Sequence, residues 1–457
     1  MISDFVKSVQ QGKIDPVHHI RSALEEVKNI NQQFHYCTTI PEQSALAESK
    51  EAKTGRLAGV AVSVKDCICV KDIESTAGSA ILKGYHPVMD ATAVQRLKDE
   101  GAIIIAKTAQ DEFGFGSFAV NVGIGMEIPK NPVDPERACG GSSGGSAGLT
   151  RKVSFPHVSL AESTGGSIVC PASFCGVYGL CPTYGVVSRY GLMDYANSLD
   201  KIGPMATSVD DLKLVMDIIG HMDPRDSTCT GPQHAKVIQK PRIGLLKSSF
   251  AQGVDPKVQS AVREFVEKLK RSGFSVSEVE LPLTEKYGIS CYYLISMCEA
   301  STNLAKFCGM RYGAHEPLDG NFNEYFSKVR SKYFNEESKR RIIIGTFARM
   351  AGYRDAYYLK AMRVRTKIIE EYKKIFTSVD ILLSPTMPIL PPRFADIGNL
   401  SPLQQYMMDI MTVGPNLAGL PHLNIPAGSV EGLPVGMLLI ADHYQEQTLL
   451  ACAKVLE

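Results

Sequence analysis

The run Cys139-Gly140-Gly141-Ser142-Ser143-Gly144-Gly145-Ser146-Ala147, with Glu162-Ser163-Thr164-Gly165-Gly166-Ser167-Ile168 after it, decides how this 457-residue chain is read. Glycine costs backbone entropy and offers no side chain to bury, so an unbroken series of glycines and serines is hard to explain by packing. It suits a loop whose N–H groups and hydroxyls must come close to a bound group. Three loop types compete. A Walker phosphate loop needs Lys after its last glycine, and Gly145 is followed by Ser146. A dinucleotide fingerprint needs G-x-G-x-x-G, which the run lacks. Gly140 to Gly144 does match G-x-S-x-G, but that nucleophile elbow follows a strand directly. Here the preceding Asp134-Pro135-Glu136-Arg137-Ala138 is a polar turn.

Upstream of this loop, Gly59 to Val64 is a short, β-branched apolar run that ends at Lys65-Asp66. It reads as a buried strand with charged residues at its carboxyl end. Thr92 to Glu100 has helical spacing, stops at Gly101, and leads into a strand over Ala102 to Ala106. The alternation returns at Arg242 to Leu246, Val258 to Leu269 and Phe274 to Val279, then at Asp380 to Leu383 and Val435 to Ile440, with a last helix from Glu446. The N-terminal stretch Ser3 to Ile30 is helical in spacing, broken near Gly12 to Pro16. This pattern predicts an α/β fold around a mixed or parallel β-sheet flanked by helices. Residues 285–378 are rich in Tyr, Lys and Arg at helical spacing and predict a helical elaboration. No shift in composition marks a boundary, so residues 1–457 are expected to form one large domain with its chemistry within about residues 50–220.

Lys plus Arg is 49 and Asp plus Glu is 48, a net charge of +1. That balance argues against nucleic-acid binding by bulk positive charge, and a 44% hydrophobic content excludes a largely disordered chain. Apolar runs such as Ala102 to Ala106 and Met437 to Ala441 fall far short of the roughly 18 to 20 residues of a membrane span. With Asp4 and Asp15 and no apolar leader at the N-terminus, the expectation is a cytoplasmic protein without membrane contact; an organelle matrix reached without a recognisable presequence is the alternative. The 12 cysteines include no C-x-x-C and fit buried thiols in a reducing compartment better than disulfides or a metal site. No metal is expected.

Thr164-Gly165-Gly166-Ser167 offers successive backbone N–H groups beside a hydroxyl, which is what an oxyanion hole next to a serine nucleophile requires. By itself it is a glycine turn. Together with the Gly140 to Ala147 loop and Lys65 at a strand end, it resembles the amidase signature family. Gly59 to Asp66, Cys175-Gly176 and Gly179 to Gly185 follow the same pattern, and the resemblance covers nearly the whole chain.

The resemblance implies a Ser–cis-Ser–Lys triad: Ser167 as nucleophile, Ser142 as proton relay with an unusual peptide bond before it, and Lys65 as ultimate base. Thr164, Gly165 and Gly166 would form the oxyanion hole. The demand on Lys65 is severe, because a neutral amine at pH 7 lies about 3.4 pK units, or roughly 4 to 5 kcal/mol, from its reference state. Burial supplies the right sign.

Several stretches are similar to the glutaminase subunits of tRNA-dependent amidotransferases: Tyr292-Tyr293, Glu299 to Leu304, Arg311-Tyr312-Gly313, Lys339 to Ile342, Gly345-Thr346-Phe347, and Asn416 to Pro421. In that group the residue matching Arg341 holds the α-carboxylate of glutamine and the one matching Asp409 its α-ammonium. Tyr292 would line the same pocket. A simpler reading of Arg341 is a helix-surface ion pair with Glu337. The resemblance implies glutamine hydrolysis through a γ-glutamyl ester, with ammonia passed to a B-type kinase/transamidase subunit that amidates misacylated Glu-tRNA(Gln). A small C-type subunit completes the assembly. No cofactor is expected in this chain; ATP and Mg would serve the partner, which also holds the tRNA. Asp111-Glu112-Phe113-Gly114 is similar to the stretch near the ammonia path, which would place Glu112 at the exit.

Two departures stand out: Ser163 where the family usually has Asp, and Val169 where it usually has Arg. Losing both members of such a pair leaves no lone charge. Two alternatives stay open: a stand-alone amidase on small amides, against which the Arg341 and Asp409 pair argues, and a catalytically weakened assembly subunit, which the two departures make conceivable.

Overall fold

A strand covered on both faces favours apolar residues, and the uninterrupted apolar runs at residues 103–106 and 381–383 fall in fully buried strands. The computed structural model describes residues 1–233 and 235–457. Its strands are β1 (Cys37–Thr39), β2 (Ala61–Lys65), β3 (Ile103–Thr108), β4 (His157–Ser163), β5 (Tyr178–Cys181), β6 (Lys201–Ala206), β7 (Ile243–Leu246), β8 (Val276–Val279), β9 (Ile381–Pro385), β10 (His422–Val430) and β11 (Leu433–Ala441). They form one 11-stranded mixed sheet in the order β1-β3-β2-β4-β6-β5-β10-β11-β9-β7-β8. β2 runs parallel to both β3 and β4, with Val62 opposite Ile104 on one side and Val158 on the other. β4, β6, β5, β10, β11 and β9 are antiparallel neighbours in turn, and β7 restores parallel pairing with β9 and β8.

The N-terminal break falls where the sequence places it. Gly12 takes a left-handed φ of +69°, Asp15 accepts the N–H groups of Val17 and His18 as an N-cap, and Pro16 opens the second helix. The helices are thus Ile2–Gln10 and Pro16–Phe34. Strand ends differ from the sequence reading by one or two residues, as expected of pattern reasoning. Five strands were not legible in the sequence: β1, β4, β5, β6 and β10.

Between β8 and β9 the chain makes no strand and instead builds Pro282–Asn303, Phe322–Tyr333, Glu336–Arg349 and Lys360–Ile375, the helical elaboration. Glu336–Arg349 lies so close to Pro282–Asn303 that a Cβ on Gly345 would overlap the Met297 carbonyl. All 12 cysteines are free thiols and ten of them are buried. Among the described residues no helix is long and apolar enough to cross a membrane.

Candidate active site

Parallel pairing of β2, β3 and β4 aligns their carboxyl ends, and the loops that leave them meet at one edge of the sheet. Lys65 is the last residue of β2; β4 ends at Ser163 and runs straight into Thr164–Ile168. The Gly140–Ser143 loop enters the same edge ahead of the helix Gly144–Lys152. The peptide bond between Gly141 and Ser142 is cis.

Lys65 is fully buried and makes three contacts. Its Nζ donates to Ser142 Oγ at 2.7 Å, to the Glu162 carbonyl at 3.0 Å and to Glu162 Oε2 at 2.8 Å. The adjacent Asp66 faces the other way: its Oδ1 lies 3.6 Å from Lys107 Nζ and its Oδ2 accepts the N–H groups of Thr76 and Gly78. Alternation along a strand end sends adjacent side chains to opposite sides.

Ser167 lies two residues before the helix Val169–Cys175 and retains 6% exposure. Among the described residues its hydroxyl has no protein partner, and the backbone N–H groups of Gly165, Gly166, Ser167 and Ile168 are not taken by any protein acceptor. Free donors clustered around a free hydroxyl are the chemical content of an oxyanion site. The turn itself is held from behind. The Gly165 carbonyl accepts from Ser163 Oγ at 2.9 Å and from Asn416 Nδ2. Ser163 thus fixes the turn through its hydroxyl, and Val169 is fully buried in the main apolar cluster, so neither departure leaves a group unsatisfied.

Asp409 and Arg341 come from distant segments. Asp409 Oδ1 accepts from Ser117 Oγ at 2.9 Å, and its Oδ2 from the Tyr293 hydroxyl at 2.6 Å. The Ser117 carbonyl in turn accepts the Gly141 N–H at 2.9 Å and the Cys170 thiol at 3.3 Å, which ties Asp409 to the residues flanking Ser142 and Ser167. A Cβ on Gly166 would stand 3.5 Å from Asp409 Oδ1. Burial pushes the Asp409 carboxyl above the usual range.

Arg341 does pair with Glu337, Nε to Oε1 at 2.8 Å, but not on a helix surface: the two are 3% and 7% exposed. Its Nη1 also donates to the Tyr195 hydroxyl at 2.5 Å. The guanidinium sits 5.0 to 5.8 Å from the ring centres of Phe115, Tyr195, Tyr293 and Tyr406. Tyr293 therefore touches both charges. Tyr292, the neighbour singled out from the sequence, lies against the Thr164–Ile168 turn, where a Cβ on Gly165 would be 2.8 Å from its hydroxyl.

Glu112, expected near an exit, is a buried structural hub. Its Oε1 accepts from Ser79 at 2.5 Å, and its Oε2 accepts the Asn335 N–H at 2.9 Å and the Ser338 hydroxyl at the start of the Arg341 helix. Burial raises its pKa to about 7. Sequence reasoning missed Glu162, Asp200, Tyr195, Tyr293 and Ser117. Only Tyr293 carried a signal, its place beside Tyr292.

The family model described as Amidase matches residues 18–450. The A-type subunit of glutamyl-tRNA(Gln) amidotransferase from Archaeoglobus fulgidus is 45% identical over 461 residues, covering 99% of this chain and 97% of that protein. Its counterpart from Methanococcoides burtonii is 46% identical, covering 99% and 95%. The crystal structure of the corresponding glutamyl-tRNA(Gln) amidotransferase chain from Thermotoga maritima superposes with a TM-score of 0.78 at 32% identity, covering 96% of this chain and 90% of that one.

Proposed function

This chain belongs to the amidase signature family, and from that premise we propose that it is the glutamine-hydrolysing subunit of a tRNA-dependent amidotransferase. The observation that carries this reading is the placement of two buried side chains of opposite charge type, Arg341 and Asp409, against the same Tyr293 ring, with Asp409 linked through Ser117 to the loops of Ser142 and Ser167. A guanidinium reads a carboxylate and a carboxylate reads an ammonium, so the pair selects an amino acid over a simple amide. A stand-alone amidase has no need of such a pair and is not favoured, since curated relatives 45% and 46% identical over 99% of the chain are A-type chains of glutamyl-tRNA(Gln) amidotransferase.

In the proposed reaction Ser167 Oγ attacks the side-chain amide carbon of glutamine while its proton passes to Ser142 and that of Ser142 to Lys65. The tetrahedral oxyanion takes the free N–H groups of the Thr164–Ile168 turn. Collapse expels ammonia, which takes a proton back through Ser142, and leaves a γ-glutamyl ester on Ser167. Water then attacks the ester and gives its proton through Ser142 to Lys65, and collapse returns that proton to Ser167 Oγ and releases glutamate. The ammonia goes to a B-type partner subunit, where ATP and Mg activate the misacylated Glu-tRNA(Gln); a small C-type subunit joins the two. The near-neutral charge of this chain agrees with the RNA being held elsewhere.

The test is co-purification of the chain with its partner subunits, then a glutaminase assay with and without charged tRNA. Glutamate release that depends on Ser167 and rises with charged tRNA supports the reading. Equal turnover of glutamine and simple aliphatic amides would overturn it.

A further inference from the structure

Glu162 is a buried carboxylate to which the triad chemistry assigns nothing. It is 3% exposed and lies on β4, from which its carboxylate reaches Lys65 Nζ. The groups around it account for every oxygen. Oε2 meets Lys65 Nζ at 2.8 Å, with the Cys67 thiol at 4.0 Å. Oε1 lies 2.9 Å from the Thr164 hydroxyl, which lies 2.7 Å from Asp200 Oδ1. Asp200, fully buried, also accepts the N–H groups of Tyr195 and Ala196 at 2.8 to 3.0 Å. From β5, the Cys181 thiol is the remaining titratable group near Glu162, and it too is fully buried.

Proton counting constrains this chain. A hydroxyl has one hydrogen, so Thr164 can donate to only one of the two carboxyls. The other contact needs a hydrogen from the carboxyl itself. One of the two carboxyls therefore supplies the second hydrogen of this chain. Burial and the Glu162 charge both hold the Asp200 carboxyl well above the usual range, in agreement with the proton resting there.

Lys65 as an ammonium would spend its three hydrogens on Ser142, the Glu162 carbonyl and Glu162 Oε2, and have no lone pair for the Ser142 proton. We propose that Glu162 is a positioning residue of the relay, which accepts a proton from Lys65 Nζ and so turns Lys65 into the base that Ser142 requires. The step moves one proton from nitrogen to Oε2. It frees the nitrogen lone pair and changes no net charge. The Ser142 proton then moves to Lys65 as Ser167 attacks and gives its own proton to Ser142; ammonia leaves with the Ser167 proton, Lys65 returns a proton to Ser142, and Glu162 returns one to Lys65. The proposal rests on the Ser167–Ser142–Lys65 reading above.

Because the transfer is internal to the pair, the active form is populated independently of pH through the neutral range. A neutral side chain at 162 removes the acceptor, and Lys65 must then lose its proton to solvent. The rate acquires an acidic limb displaced to higher pH. A mere counterion would do the opposite, since its removal destabilises the ammonium and moves the limb to lower pH.

The experiment measures, from pH 5.5 to 9, the rate at which a fluorophosphonate labels Ser167, together with steady-state glutamine hydrolysis, in the full-length protein with its partners. Folding is checked by thermal melting. Glu162→Gln, with Glu162→Ala as a second neutral variant, is expected to move the acidic limb up by a pH unit or more and to lower kcat at least tenfold with KM within twofold. Glu162→Asp is expected to return the limb to its wild-type position. A limb that stays in place or moves down in both neutral variants overturns the proposal. The fluorophosphonate reports on Ser167 whatever the natural amide, so labelling without glutamine turnover refutes the glutaminase reading and leaves the relay to be judged on its limb. A wild-type Ser167 that is never labelled overturns both.

Discussion

Arg341 Nε lies 2.8 Å from Glu337 Oε1 one helical turn earlier, and both side chains are almost completely buried. On a helix surface such an i, i+4 pair contributes a few tenths of a kcal/mol. Buried among Phe115, Tyr195, Tyr293 and Tyr406, the same pair holds a guanidinium in a fixed orientation, which is what the proposed grip on a carboxylate requires.

Replacing Arg341 should therefore act on binding. Arg341→Gln is expected to raise KM for glutamine by about 10- to 100-fold, the range of a charge-assisted contact, with a smaller effect on kcat. Arg341→Lys should recover only part of it, because an ammonium lacks the planar fork. Steady-state kinetics with glutamine and a simple aliphatic amide provide the check: the loss should be confined to glutamine.

Ser167→Ala and Ser142→Ala should each reduce glutamine hydrolysis by about a thousandfold or more, and the double variant should be little worse than either alone. Groups that act as one relay are non-additive in this way. Comparable residual rates in the three proteins, with substrate binding retained, is the expected pattern.

Glu112 predicts a pH-dependent stability. Its pKa rises from 4.5 in the unfolded chain to about 7 when buried, so the folded state binds the proton more tightly. Its contribution is fully present below pH 4.5 and is lost as pH rises to about 7, a swing of order 3 kcal/mol. Melting curves of the wild type and Glu112→Gln should diverge across that window, with the wild type losing ground to the variant as pH increases. Since Glu112 holds Asn335 and Ser338, the same variant should leave the helix carrying Arg341 in place near neutrality.

Gly345→Ala is expected to destabilise the protein by about 1–3 kcal/mol, because its Cβ would overlap the Met297 carbonyl at the crossing of two helices. The displaced helix carries Arg341, so KM for glutamine should rise along with the lower melting temperature. A variant with unchanged stability and KM would show that the crossing relaxes freely.

Most of the strands legible in the sequence hold a short uninterrupted apolar run, such as residues 103–106 in β3 and 381–383 in β9. β4 was hidden because His157, Ser159, Glu162 and Ser163 look like surface residues. They are buried because each finds a partner across the sheet or in a neighbouring loop: Ser159 Oγ lies 2.5 Å from Ser63 Oγ and 2.8 Å from Thr150 Oγ1, and His157 Nε2 lies 3.1 Å from Ser63. Hydrophobic periodicity does not see a polar residue that is satisfied from another strand.

The same division runs through the site. The sequence alone determined the loops: glycines dense enough to expose N–H groups, a serine in each, and a lysine where an apolar strand ends, all properties of a few consecutive residues. Only the tertiary structure decided what stands behind and around them. Glu162 is 97 residues from Lys65, Asp409 is 292 from Ser117, and Tyr195 is 146 from Arg341. No local spacing encodes such contacts. Strand register and helix packing bring them together, and burial then makes each charge seek a partner, which gives Glu162 a place beside Lys65 that its neighbours in the chain do not announce.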